Sequence, residues 1–157
     1  MIKPKPLHQG DTVAIISPAS PTDKNLIDKC VDSLNTLGLK VVVGESCLSE
    51  HGFLSGTDDI RAKDINCMFA DKNIKGIFAL RGGYGCARLL NLIDFKLIKK
   101  NPKIFVGYSD ITALHIAINQ KSKLVTYHGP MISTELIKGL DEYTASYYKK
   151  FIFGNDK

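Results

Sequence analysis

The chain has 157 residues, 44% of them hydrophobic and 24% charged, which is ordinary globular usage and fits one domain with a short appendage. Its 21 basic and 16 acidic residues leave a formal charge of +5. The lysines are scattered, so no basic stripe marks a nucleic-acid partner, and no run of about 18 apolar residues exists to span a membrane.

The segment Met1–Pro6 carries charge with no apolar stretch behind it, so no signal peptide is expected and the expected compartment is the cytoplasm. Val13–Ser17, an apolar run ended by Pro18, reads as a buried strand. Asp23–Leu37 then places Leu26, Ile27, Cys30, Leu34 and Leu37 at helical spacing, with Gly38 just past the end. Lys40–Val43 is a second strand, and a glycine-spaced loop from Gly44 to Gly56 leads to a helix over Thr57–Asp71.

Gly76–Leu80 reads as a third strand running into Arg81-Gly82-Gly83-Tyr84-Gly85, followed by a helix with Ala87, Leu89 and Leu90 and a short basic segment. Ile104–Val106 is a fourth strand, Ser109–Gln120 a helix, and Leu124–Tyr127 a fifth strand. Strands alternating with helices predict a three-layer α/β/α domain on a mainly parallel sheet of about five strands, flavodoxin-like or Rossmann-like. Beyond Gly139 the aromatic stripe of Tyr143, Tyr147, Tyr148, Phe151 and Ile152 predicts a final helix that packs back on the domain or in part faces a partner, including a second copy. The four cysteines (30, 47, 67 and 86) form no C-x-x-C pair, and three fall in expected core-facing helices, so free thiols are expected.

In parallel sheets ligands bind beyond the carboxyl ends of the strands, which directs attention to the loops at Ser17–Ser20, Arg81–Gly85, Gly107–Thr112 and Tyr127–Met131. Ser109, on a strand-to-helix turn after Gly107-Tyr108, has two readings: a nucleophile on a sharp elbow, or a helix cap with Asp110 complementing the dipole. Three glycines in the four positions 82–85 imply unusual dihedrals or close backbone approach, suited to an oxyanion or to a structural turn. Arg81 could hold a carboxylate bidentately or pair with a neighbouring acid. Among the histidines, His8 and His51 read as solvated and His115 points away from Ser109 around the helix. His128, beside Gly129-Pro130, is the one intrinsic candidate to pair with Ser109, or else a structural histidine.

These motifs, in order from Leu7 to Ile137, resemble the N-terminal half of the L,D-carboxypeptidase family of serine peptidases, the muramoyl-tetrapeptide carboxypeptidase and microcin-immunity type. The resemblance is carried by Gly10-Asp11-Thr12-Val13 through Ser17-Pro18-Ala19-Ser20, and by Gly56-Thr57-Asp58 with Arg61-Ala62-Lys63-Asp64. Arg81–Gly85 with Arg88-Leu89-Leu90, Gly107–His115 and His128-Gly129-Pro130-Met131 complete it. It implies Ser109 as nucleophile, with Gly83 and Asp110 giving the oxyanion-hole N–H groups. Arg81, Gly82, Tyr84 and His128 are expected around the substrate.

The implied substrate is a murein tetrapeptide losing its terminal D-alanine, or a related peptide, with no metal or organic cofactor. Family members are about twice as long, and their remaining triad residues, a glutamate and a histidine, lie in a C-terminal domain. The expectation is therefore a nucleophile-bearing domain over residues 1–139, with a terminal helix and linker over 140–157. By the same resemblance the second catalytic domain is expected to be absent from this chain, and the chain is expected to be inactive alone. A peptide- or anion-binding module and a self-associating remnant are the alternatives.

Overall fold

The computed structural model describes residues 1–154. Five strands, β1 (Thr12–Ile16), β2 (Lys40–Val43), β3 (Ile74–Ala79), β4 (Ile104–Gly107) and β5 (Tyr127–His128), form one sheet in the order β2-β1-β3-β4-β5. All four pairings are parallel. This is the flavodoxin-like order, in which the chain reverses its direction of travel between β1 and β3 and leaves a crevice there.

The central strands are buried on both sides, and their alternation sorts the core into two layers. Val13 and Ile15 of β1, Phe78 of β3 and Ile104 and Val106 of β4 pack with α1 (Ile27–Asn35) and with Tyr148 and Ile152 of α5 (Glu142–Phe153). Ala14, Ile16, Ile77, Ala79 and Phe105 face the other way. They pack with α2 (Asp58–Ala70), α3 (Phe95–Lys100) and α4 (Thr112–Ala117). A period of two along each strand puts neighbouring residues in opposite layers, which produces the three-layer sandwich.

Helix ends follow their local chemistry. Thr57 accepts from the Ile60 N–H at the start of α2, Asp94 from Lys96 and Leu97 at α3, and Asp141 from Thr144 at α5. Gly38, at φ 80°, closes the region after α1. The buried Lys103 ammonium caps the far end of α2 by donating to the Met68 carbonyl at 2.8 Å and to that of Asp71.

Several elements differ from the sequence reading. After the glycine loop the chain makes only a 3-10 turn, Cys86–Leu89, because Gly85 at φ 114° starts it from the left-handed region. The basic segment beyond is itself α3, set by the Asp94 cap. The fifth strand is displaced to Tyr127–His128, while Leu124 instead bridges Ile2 in parallel. Ser109–Ser122 is one helical run that begins as a 3-10 turn and ends with a π turn before Lys123 at φ 56°. All four cysteines are free, but Cys67 is exposed on α2 rather than core-facing, whereas Cys30, Cys47 and Cys86 are buried. Residues 155–157 of the expected linker lie outside the described residues.

Candidate active site

The crevice is built where β1, β3 and β4 end. Gly107 closes β4 and has no room for a side chain: a Cβ there would stand 2.8 Å from Ile111 Cγ2. Its carbonyl accepts twice, from the Gly129 N–H at 3.2 Å and from His115 Nε2 at 2.9 Å. Two donors thus hold the end of the strand from which the chain turns sharply. Ser109 follows at φ 60°, a left-handed conformation that costs a non-glycine residue on the order of 1–2 kcal/mol. Such strain marks a side chain held where the fold would not otherwise place it.

Ser109 is exposed, and its hydroxyl makes no hydrogen bond among the described residues. It begins the 3-10 turn Ser109–Ile111 with no side-chain cap bond, which sets aside the capping reading. The Ser109 and Asp110 N–H groups, at the start of that turn, have no acceptor among the described residues.

The glycine loop after β3 packs directly on this elbow. A Cβ on Gly82 would lie 2.8 Å from Ser109 Cβ and 2.9 Å from its Oγ. One on Gly83, whose φ is 133°, would meet Ser20 Oγ at 2.1 Å. Only glycine fits either position, so close approach and backbone conformation both account for the glycine density. Gly82 accepts from the Ser20 N–H at 3.4 Å, which ties the loop after β3 to the loop after β1 across the crevice. The N–H groups of Gly82 and Gly83 find no acceptor among the described residues. Free donors from Gly83 and Asp110 beside a strained, exposed serine form an arrangement able to stabilise a developing oxyanion.

Around this centre the other sequence candidates are placed as follows. Arg81 is half-buried; its Nη1 donates to the Pro21 carbonyl at 3.3 Å, and its buried Nε has no partner among the described residues. Tyr84 is exposed and its ring lies 5.9 Å from that of Phe53, an aromatic neighbour from the loop after β2 that the sequence reading did not single out. His128 is exposed and packs its ring 5.8 Å from that of Tyr108, whose hydroxyl donates to Glu135 at 2.7 Å. His128 is therefore near the elbow but not hydrogen-bonded to Ser109. The Glu135 carboxylate holds the Tyr108 hydroxyl above its ordinary pKa, because a phenolate beside it is disfavoured.

His115 lies beneath the elbow instead of in the crevice. It is buried, set edge-on to Phe105 at 5.4 Å, and its Nδ1 has no partner. Burial lowers its pKa, opposed by the Gly107 hydrogen bond, so the ring is neutral at pH 7 and carries its proton on Nε2. Among the described residues no cluster of His, Cys, Asp or Glu could hold a metal ion. No helix there is long and apolar enough to cross a membrane. A wide concavity of about 1120 Å³ lies at the opposite edge of the sheet, lined by Leu7, Gln9, Leu37, Gly38, Lys149 and Phe153. The catalytic candidates do not line it; their site is an open rim.

Known proteins match this arrangement. The probable murein peptide carboxypeptidase of Bacillus subtilis (strain 168) is 50% identical over 140 residues, which cover 89% of this chain and 43% of that protein. The microcin C7 self-immunity protein MccF of Escherichia coli is 37% identical over 130 residues, 81% of this chain and 38% of that protein. Among solved structures, an MccF-like protein from Bacillus anthracis str. Ames superposes with a TM-score of 0.92 at 37% identity, covering 99% of this chain and 48% of that one. The muramoyltetrapeptide carboxypeptidase from Oxalobacter formigenes gives 0.80 at 29% identity over 88% of this chain and 47% of that one. The chain thus spans about half the length of these relatives. Residues 13–129 match the family described as the LD-carboxypeptidase N-terminal domain, and the chain belongs to that family.

Proposed function

We propose that this chain is the nucleophile-bearing half of a serine LD-carboxypeptidase that removes the terminal D-alanine of a murein tetrapeptide. The observation that carries this reading is Ser109 at φ 60°, with the unpaired N–H groups of Gly83 and Asp110 beside it. Ser109 Oγ attacks the carbonyl of the residue before the terminal D-alanine, and the resulting oxyanion accepts from those two N–H groups. Collapse of the tetrahedral intermediate expels D-alanine as its amine, which takes up a proton, and leaves an acyl group on Ser109 for water to release. Arg81, half-buried beside the glycine loop, supplies guanidinium donors for a substrate carboxylate, while Tyr84 and His128 border the same rim.

A serine hydroxyl needs a base, and Ser109 Oγ has none in contact among the described residues. In a serine protease, loss of a triad member costs on the order of 10⁴–10⁶ in turnover. The isolated chain is accordingly expected to be inactive, with the base supplied by a second domain. The deciding experiment measures D-alanine released from a murein tetrapeptide by the chain alone and after addition of the C-terminal half of the Bacillus subtilis relative. Activity regained with that half and abolished by Ser109→Ala supports the proposal. Activity that survives the substitution overturns it.

The half-buried Arg81 guanidinium beside the glycine loop favours one second reading, a module that binds a peptide carboxylate without hydrolysing it. Calorimetry with a D-alanine-terminated peptide tests this, and no heat at millimolar ligand counts against it.

A further inference from the structure

The two proposed oxyanion donors come from separate segments, Gly83 from the loop after β3 and Asp110 from the elbow after β4. For both to meet one oxygen, their relative position must hold to a fraction of an ångström. Van der Waals packing of Gly82 on Ser109 sets how closely the segments approach, but packing alone permits sliding. Among the described residues, the Asp110 carboxylate is the polar side chain that joins residues 81–86 to residues 107–111. The Cys86 N–H donates to Asp110 Oδ2 at 2.9 Å.

The far end of the glycine loop is equally confined. Gly85, at φ 114°, packs against Leu54 and the Arg61 guanidinium, where a Cβ would be 2.7 Å from Leu54 Cδ2 and 2.8 Å from Arg61 Nη1. Arg61 is fully buried and cannot give way. Its Nη1 donates to the Pro18 carbonyl at 2.6 Å and its Nη2 pairs with Asp58. Asp58 in turn accepts from Arg88 Nε at 3.0 Å to both of its oxygens. The Cys86 thiol, wholly buried beside Asp110, is held above its ordinary pKa by desolvation and then by that carboxylate. It stays neutral, and no thiolate repels the acceptor.

From this we infer that the Asp110 side chain is a positioning group: it clasps the glycine loop to the elbow and sets the spacing between the Gly83 and Asp110 donors. One residue then provides a donor through its main chain and fixes the other through its carboxylate. The inference rests on the proposed role of Ser109, but the clasp itself can be read without turnover.

The experiment uses the ¹⁵N-labelled full chain with Asp110→Ala and Asp110→Asn. Both variants keep the main-chain N–H, and asparagine keeps an acceptor oxygen. In Asp110→Ala the Cys86 amide should exchange with solvent about tenfold faster or more, and the Gly83 and Ser109 amide shifts should move, while β1 amides exchange as before. Asp110→Asn should restore all three signals. Wild-type signals at Cys86 and Gly83 in the alanine variant overturn the clasp, and so does an asparagine variant that behaves like alanine. Should Asp110→Ala fail to fold, Asp110→Glu reads the same amides with an arm one methylene longer. Displaced Gly83 and Cys86 signals then support the clasp, and unchanged ones overturn it. A boronic acid analogue of a D-alanine-terminated peptide, able to form a tetrahedral adduct on a serine, separates the two levels. With the C-terminal half of the Bacillus subtilis relative added to supply the base, wild-type chain that forms no adduct on Ser109 argues against the proposed function, and the amide data on the chain alone still decide the clasp.

Discussion

A serine at φ 60° stores strain that a glycine would not. Ser109→Gly should therefore be more stable than Ser109→Ala, by about 0.5–1 kcal/mol once the extra chain entropy of glycine is set against the relieved conformation. Urea unfolding of the two variants measures the difference, and an alanine variant at least as stable as the glycine one would remove the strain argument. His115 makes a second residue-scale prediction. Its folded pKa lies below its unfolded value of about 6.5, because charging it would bury an unpaired cation. The unfolded chain then binds more protons below that value. The contribution of His115 is fully present above about pH 6.5 and is lost as pH falls toward the folded pKa. Denaturant unfolding of wild type and His115→Gln at pH 7.5 and pH 5 isolates this part: wild type should lose more stability on acidification. Equal losses would mean that the ring is not buried neutral.

At the scale of elements, the loops after β1 and β2 depend on one carboxylate of α2. Asp64 is buried and accepts from the Ser46 N–H at 2.7 Å, the Ser46 hydroxyl at 2.5 Å and the Glu45 N–H at 3.2 Å. Ser46 Oγ in turn accepts from the Ser17 N–H at the end of β1. Asp64→Ala leaves these donors without their acceptor and should cost about 2–3 kcal/mol in urea unfolding. A loss under about 0.5 kcal/mol would show that water replaces the carboxylate freely.

Buried apolar runs and their glycine stops made β1 to β4, α1 and α2 legible in the sequence. Ser109 stood out as a candidate by its place between a strand and a helical repeat, with nucleophile and cap both open from local sequence. The glycine density at 82–85 pointed to close approach, but not to what approaches: Ser109 and Ser20 are distant in sequence and meet only through the sheet order. The same holds for the Cys86–Asp110 bond and for Arg61, whose charge gives no sign that Pro18 and Asp58 wait inside for it. Periodicity also overran Cys86–Leu89, where the left-handed Gly85 admits only a tight turn, and it missed α3, which its Asp94 cap sets.

At the scale of the whole molecule, the site is an open rim, and among the described residues the exposed phenylalanine and tyrosine rings lie in two places. Phe53 and Tyr84 stand at the carboxyl edge of the sheet. Tyr143 and Tyr147 stand on α5, 72% and 54% exposed, their rings 4.7 Å apart. If α5 joins two copies of the chain, its tyrosines must be what meets. Tyr143→Ser with Tyr147→Ser should then leave the sedimentation coefficient concentration-independent where wild type shows a rise. A wild-type monomer at all concentrations would exclude that pairing.

Segments near the two ends of the described chain are also fastened to each other. The Leu7 N–H donates to the Ile152 carbonyl at 2.7 Å, both side chains are buried in one core layer, and Gly154 comes up against Pro6. Connectivity at this edge is thus nearly interchangeable with contact. The order in which the chain is threaded could be changed without redrawing the sheet, for a bridge long enough to run from Gly154 back to Met1, beside the Ile2–Leu124 pair, would permit new termini at Gly52, which has open space around it. Such a circular permutant should unfold in a single transition near that of wild type, with the Ser109 elbow about a third of the way along its sequence.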